Sequence, residues 1–390
     1  MTRKVKKGAA LGAALLLGVL VFLLPVSAQS ADTGLEAESE EIREEWEGFV
    51  SAIPPEVAEL LPPDFFSKDM EAVGSSVGEA SALGTVFRTV GRVTGVKLAE
   101  NLALLARICG ILVLSAVLGA LTQHEKSGAS AAVSLVAVLA IVGMVFAGNA
   151  ARFREIECFF DTVRALCLSL IPLMGALYAM GGNVSAAVAN HGVMSGFLTV
   201  LETVCSGVVV PVAGLCVALG LLDAVTGKGS LRSLSTLVKR TFTFGLSFLM
   251  MLLSFVLGLQ QTLAKGTDTL ALRTVRFAAG SFLPVVGGSV SESLRTVAGS
   301  VQYLRSAVGT GALLVVFFLF LPTFLSVLIT RLAFLLGGAV AGLLGCPREE
   351  RLLGELSGVW GYFLAIVACL FVMTVFSLTL FAHSAAAIGG

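Results

Sequence analysis

The stretch GALLVVFFLFLPTFLSVLIT, residues 311–330, carries no charged side chain and is long enough to cross a bilayer as a helix. Only 13% of the whole sequence is charged and 56% is hydrophobic, whereas a soluble domain carries about 25% charged residues. The sequence therefore predicts an all-α polytopic membrane protein with about seven to eight transmembrane helices and further amphipathic or re-entrant helices. The other apolar windows of suitable length lie at 104–121, 129–148, 164–181, 198–222, 241–260 and 359–382.

A shorter apolar segment follows directly after the single charge of Arg331. Residues 332–345 are too few to cross a bilayer comfortably, so we expect a re-entrant or interfacial helix there. Within it, Gly338 and Gly342 are four positions apart, a spacing that lets two helices approach closely. Arg107, Asp223 and Arg331 lie near the ends of predicted spans, where their side chains are expected to reach the lipid headgroups.

The N-terminus has the features of a secretory signal peptide, predicted at 1–28. Basic residues in the first seven positions precede an apolar stretch at 9–24, and small residues follow at the expected cleavage position. An uncleaved first transmembrane helix is the alternative interpretation. Both interpretations direct the chain to a membrane, and cleavage would place residue 29 outside the cell.

Residues 29–100 are expected to form a short acidic extracytoplasmic region with an amphipathic lead-in to the membrane. Ile42, Trp46 and Phe49 share one face at helical spacing, and most of the acidic residues of this part of the chain surround them. A region this small buries little core on its own. We therefore expect it to act as a tether or as a docking segment for another extracytoplasmic protein.

The predicted orientation conflicts with the charges of the segment 223–240. Seven crossings after an external residue 29 would place this segment outside. Its basic residues instead favour the cytoplasm: Lys228, Arg232, Lys239 and Arg240. One missed or extra crossing between 182 and 222 would resolve the conflict.

Residues 266–310 interrupt the apolar pattern with LRTVRFAAGSFLPVVGGSVSESLRTV at 272–297. Two amphipathic helices are predicted on either side of a break, and lipid-exposed irregular backbone would lack hydrogen bonds. The segment is therefore either a helical hairpin on the membrane surface or a re-entrant element that lines a path or docks a partner. Its candidate structural or functional residues are Arg273, Arg276, Gly280, Pro284, Gly287 and Gly288. The blocks at 101–265 and 311–390 on either side are predicted to lie in the membrane.

No catalytic, cofactor-binding or metal-binding motif is recognisable. The sequence has no P-loop, no HExxH and no GxSxG, and its scattered basic residues do not indicate nucleic-acid binding. Glu202 is the best candidate ionisable residue inside a predicted span, where a carboxylate is a functional hypothesis by default. Because it lies about one turn from the end of that span, a side chain that simply reaches the lipid headgroups is the alternative. The sequence therefore predicts a protein without enzymatic activity.

This order of segments resembles the stage III sporulation protein AE family of endospore-forming bacteria. The most specific resemblance lies at 268–300, in Leu272-Arg273-Thr274, Ala279-Gly280 and the FLPVVG run at 282–287. The resemblance implies a multi-pass membrane protein of the mother cell, in the membrane around the forespore. It also implies a subunit of a channel or secretion-like complex that supports late forespore gene expression.

The partners implied by the resemblance are other membrane proteins of the stage III sporulation A cluster, a separate ATPase and a forespore-side protein. A secondary transporter for a small solute is the alternative function. A transporter favours internal repeats with paired broken helices, and the sequence shows a single broken segment.

Overall fold

A computed structural model describes residues 36–67, 70–122, 129–180, 205–226, 233–245 and 287–383, with a few single positions between 192 and 255. The regular elements of these residues are all helical, as predicted. In chain order they are α1 (Glu36–Ser51), α2 (Pro55–Ala58), α3 (Met70–Ser81), α4 (Leu83–Thr122), α5 (Ala129–Met180), α6 (Val210–Thr226), α7 (233–245), α8 (Gly287–Leu343) and α9 (Pro347–His383). A 3-10 turn, Pro63–Phe66, separates α2 from α3, and a π segment, Cys205–Val209, precedes α6.

Within the described residues, four helices are long and apolar enough to cross a membrane: α4, α5, α8 and α9. The windows at 129–148 and 164–181, predicted as separate spans, are both parts of the 52-residue helix α5. Charged residues lie between the two windows without starting a loop: most occupy the more exposed faces of α5, and Arg152 faces α4 and α8. The predicted window at 241–260 lies largely outside the described residues.

The segment 332–345 is not a separate helix, contrary to the sequence prediction. Residues 332–343 continue α8 without a break, because Arg331 is accommodated within the helix. The helix ends where Gly345 adopts φ 70°, with Cys346 N–H donating to Ala341 O at 2.9 Å and Gly345 N–H to Gly342 O at 3.3 Å. This pair of hydrogen bonds is the Schellman arrangement, in which glycine accepts the left-handed conformation at no steric cost. We call the end of the helix bundle at which Gly345 connects α8 to α9 the turn end.

The glycine spacing after Arg331 serves close helix packing, as predicted. A Cβ on Gly338 would lie 3.7 Å from Leu353 Cβ, and one on Gly342 would lie 3.3 Å from Glu350 Cδ. The start of α9 therefore packs directly on the last turns of α8. These two helices form the most extensive helix pair among the described elements.

Side-chain contacts fix the direction of the neighbouring helices. Helix α4 runs alongside α8 toward the turn end, because Asn101 contacts Thr330 and Ser115 contacts Glu349 further along. Helix α5 runs the opposite way, since its Arg152 contacts Thr330 and its Phe159 contacts Phe320.

Helices α6 and α7 also approach the turn end. Helix α7 is parallel to α9, because Lys239 contacts Glu355 and Phe242 contacts Tyr362. Helix α7 therefore begins near the turn end, where α9 begins. Three charged residues of the segment 223–240 are helical: Asp223 belongs to α6, and Lys239 and Arg240 belong to α7.

Helices α1 to α3 form a small unit, the N-terminal module (36–81), that packs on the helical body. The rings of Trp46 and Phe65 lie 5.3 Å apart, and Trp46 and Phe49 are almost fully buried, which confirms the apolar face predicted at these two positions. A Cβ on Gly311 of α8 would lie 3.2 Å from Phe65 Cε2 and 3.3 Å from Val77 Cγ2. The module thus contacts α8 about 50 Å from the turn end, at 1.5 Å per residue.

Candidate functional site

Most of the candidate residues predicted from the sequence lie outside the described residues: Glu202, Arg273, Arg276, Gly280 and Pro284. Gly287 and Gly288 are the first two residues of α8. The helix predicted after the break is thus continuous with the apolar helix that follows it.

A polar cluster joins α4, α5 and α8 around Arg152. The Arg152 guanidinium donates from Nη1 to Asn101 Oδ1 at 2.9 Å and also to Thr330 Oγ1. Thr330 Oγ1 donates in turn to Asn101 Oδ1 at 2.8 Å, and Asn101 Nδ2 donates to Lys97 O at 2.9 Å. Asn101 and Thr330 are fully enclosed. Each of the three helices therefore contributes a side chain to one hydrogen-bonded network.

The Arg152 network continues into an ion-pair group toward the surface. Lys97 Nζ lies 3.4 Å from Glu100 Oε2 and 3.7 Å from Glu155 Oε1, and both carboxylates are about half exposed. Exposed ion pairs of this kind contribute about 0–1 kcal/mol. The carboxylates of Glu100 and Glu155 therefore place negative charge near Arg152, and their ion pairs with Lys97 contribute little to stability.

A second polar cluster joins α7 to α9 around Glu355. Lys239 Nζ lies 3.1 Å from Glu355 Oε2, and Ser235 Oγ donates to the same oxygen at 3.2 Å. Only 13% of the Lys239 side chain and 6% of the Glu355 side chain are exposed. Removing two charges from water is costly, and attraction offsets this cost only where the geometry is good. The Lys239–Glu355 ion pair is therefore part of the packed interior of the helix bundle.

Two glycines make room for this buried pair. A Cβ on Gly220 of α6 would lie 2.9 Å from Glu355 Cβ, and one on Gly358 of α9 would lie 2.8 Å from Lys239 Nζ. Both distances are shorter than Cβ contacts in proteins allow. The missing side chains thus let α6 and Lys239 approach Glu355 from two sides.

A third polar contact lies at the turn end. Ser115 Oγ of α4 donates to Glu349 Oε1 of α9 at 2.8 Å, and both side chains are buried. Burial, and to a smaller degree the Glu349 carboxylate, raise the pKa of the nearby Cys346 thiol, with a weaker opposing effect of Ser115. Cys346 therefore stays a neutral thiol near pH 7 and offers no activated nucleophile.

The structure corrects the placement of Asp223, one of the residues expected to reach the headgroups. Asp223 is fully buried, and neither carboxylate oxygen has a hydrogen-bond partner among the described residues. Arg331 lies against Gly361 of α9, where a Cβ would be 3.1 Å from its Cζ. The short, enclosed carboxylate of Asp223 does not extend along its own helix to the surface, whereas Arg331 is only partly buried. Arg107 is exposed on α4.

The arrangement joins helices and offers no recognisable catalytic chemistry. No group of three or more histidine, cysteine or acidic residues that could hold a metal ion occurs in the described part of the chain. The sequence interpretation misses Arg152, Lys239 and Glu355, because it places the first two in connections between spans. The available signal was helical spacing: Ser235, Lys239 and Phe242 recur every three or four residues.

Comparison with known proteins gives a family match over most of the chain. The family model described as Stage III sporulation protein AE matches residues 70–385. The Stage III sporulation protein AE of Bacillus subtilis (strain 168) is 27% identical over 221 residues, which make up 56% of this chain and 55% of that protein. The aligned part thus spans about half the length of that relative. No solved structure matches the chain.

Proposed function

Because this chain belongs to the stage III sporulation protein AE family, we propose that it is a non-enzymatic membrane subunit of a channel or secretion-like complex. The complex links the mother cell to the forespore during endospore formation and supports late forespore gene expression. The match over residues 70–385 is the observation that carries this proposal, because it includes every long apolar helix described above. The buried polar clusters support a subunit whose charged residues hold helices together.

In this role the chain lies in the mother-cell membrane around the forespore. Its proposed partners are other membrane proteins of the stage III sporulation A cluster, a separate ATPase that supplies energy, and a forespore-side protein. The chain itself needs no cofactor and binds no nucleic acid in this proposal.

We place the N-terminal module outside the cytoplasm, after a cleaved signal peptide, and the turn end in the cytoplasm. The starts of α7 and α9 lie at the turn end, with the basic residues Arg348 and Arg351 nearby. Basic residues concentrate in cytoplasmic segments of membrane proteins, so this arrangement agrees with the charges of the segment between α6 and α7. About seven to eight crossings remain the proposed count.

A secondary transporter is the second candidate function. The buried Lys239–Glu355 pair and the buried Asp223 favour it, because ionisable groups inside transmembrane helices often mark substrate or proton pathways. In a transporter these charges would take part in each transport cycle. In a structural subunit they would only hold the helices together.

Deletion of the gene in its host tests the proposed function. Heat-resistant spores and a late forespore transcription reporter are scored after engulfment is verified by microscopy. Loss of both after normal engulfment is expected. Normal spores together with a defect in vegetative growth or solute uptake would reject the sporulation role and favour the transporter.

A further inference from the structure

Arg331 and Arg152 lie close together in the body, and their surroundings differ. Arg152 donates to Asn101 Oδ1 and Thr330 Oγ1, and the carboxylates of Glu100 and Glu155 lie near it. Arg331 follows Thr330 in the chain, yet its buried Nε has no hydrogen-bond partner in the part of the chain that the structure describes. No carboxylate of the described residues forms an ion pair with Arg331. The described residues thus supply hydrogen-bond acceptors to Arg152 but none to Arg331.

The Arg331 guanidinium is held in a defined place. A Cβ on Gly361 of α9 would lie 3.1 Å from its Cζ, 3.2 Å from its Nε and 3.4 Å from its Nη1. The planar group therefore rests on the α9 backbone where only glycine leaves room. A partly buried cation with no ion-pair partner among the described residues is costly, which favours a bound group that supplies the counter-charge.

The position of Arg331 along α8 indicates which anion is available. It follows directly on the uncharged window 311–330, which has the length of one bilayer crossing. A residue at the end of such a window lies at the depth of the lipid headgroups. Lys97, Asn101 and Arg152 form a polar layer at the same level of the body.

We propose that Arg331, cradled on Gly361, binds the phosphate group of an anionic phospholipid headgroup. A guanidinium presents a planar fork of N–H donors that matches phosphate oxygens. Basic sites between transmembrane helices at headgroup depth bind anionic lipids in this way. The lipid thereby joins α8 to α9 and supplies the counter-charge that the protein does not provide.

The test measures the thermal stability of the purified full-length protein in neutral detergent. Phosphatidylglycerol, phosphatidylcholine or inorganic phosphate is added separately, and native mass spectrometry counts the lipids retained. Phosphatidylglycerol is expected to raise the Tm of the wild-type protein by several degrees, because a ligand that binds only the folded state stabilises it. Phosphatidylcholine and inorganic phosphate are expected to leave the Tm nearly unchanged.

Three variants locate the effect. Arg331→Gln removes the charge, and Gly361→Ala displaces the guanidinium while keeping the charge, so both are expected to lose the response to phosphatidylglycerol. Gly361→Ala is expected to fold, because the displaced atoms end a flexible side chain. Arg107→Gln, at an exposed arginine of α4, is the control and should respond like the wild-type protein.

Two results would overturn the proposal. One is a wild-type response to phosphatidylglycerol in both Arg331→Gln and Gly361→Ala. The other is an equal response of the wild-type protein to inorganic phosphate, which would assign the site to a free anion. If Arg331→Gln does not fold, the comparison of Gly361→Ala with the wild-type protein decides the question alone.

Discussion

Helices α4 and α8 are both apolar enough to cross a membrane, yet they occupy opposite places in the molecule. In its most apolar window, α8 has 72% of its residues buried inside the protein, whereas α4 has 17%. Helix α8 lies between α4, α5 and α9 and forms the core, while α4 presents most of its surface to the outside. Apolar composition therefore identifies the helices that can enter the membrane. The side chains at helix–helix contacts determine which of these helices forms the core.

The largest expected effect comes from breaking the ion pair that ties α7 to the core. Lys239→Met leaves the Glu355 carboxylate buried without its partner, and such a loss costs about 3–5 kcal/mol. A much lower thermal or denaturant midpoint in detergent would show it. The double variant Lys239→Met/Glu355→Leu removes both charges and is expected to recover most of the stability. A double variant as unstable as the single one would mean that the pair itself stabilises the fold.

The next largest effect is expected from truncating a buried leucine, and the same substitution in α8 and in α4 compares the two helices directly. Leu314→Ala removes a fully buried side chain of α8 and is expected to cost about 2–5 kcal/mol. Leu114→Ala, at a side chain of α4 that is 59% exposed, should change stability by no more than about 0.5 kcal/mol. Denaturant titration of both detergent-solubilised variants checks the difference. Equal losses would show that α4 is packed against protein along this face.

A smaller effect comes from filling the space beside Glu355. Gly220→Ala places a Cβ 2.9 Å from Glu355 Cβ, and overpacking of this kind costs about 1–3 kcal/mol. Gly214→Ala in the same helix meets no atom within 4 Å and should stabilise by about 0.5–1 kcal/mol, because alanine favours helix over glycine. The two melting temperatures are expected to shift in opposite directions. Matching shifts would remove the argument that Gly220 is needed for close approach.

The sequence predicts the helical class, the buried face of Trp46 and Phe49, and the role of Gly338 and Gly342. These features depend on spacing along one helix, which a sequence displays directly. The pairing of Lys239 with Glu355 depends on two helices whose contacting residues are 116 positions apart. Hydropathy carries no information about which helices face each other, so a charged residue that faces a partner helix is taken for one in a loop.

The division of α5 into two predicted spans has a similar cause. The charged residues around Arg152 lower the hydropathy of the middle of α5. A hydropathy profile along the sequence therefore shows a connection between two spans at this point. In the structure Arg152 bonds to Asn101 and Thr330 on two other helices. Hydrogen bonds to other helices therefore accommodate a polar residue in mid-helix, and a hydropathy profile contains no sign of these bonds.

In the proposed role, the buried charges of this chain hold helices together and take no part in transport. The most direct test expresses Lys239→Met and Lys239→Met/Glu355→Leu in the deletion host and counts heat-resistant spores, with membrane levels of each variant measured in parallel. We predict few spores for the single variant and near wild-type numbers for the double variant. A double variant that accumulates normally in the membrane but yields no spores would reject the purely structural role and give the charges themselves a role in transport.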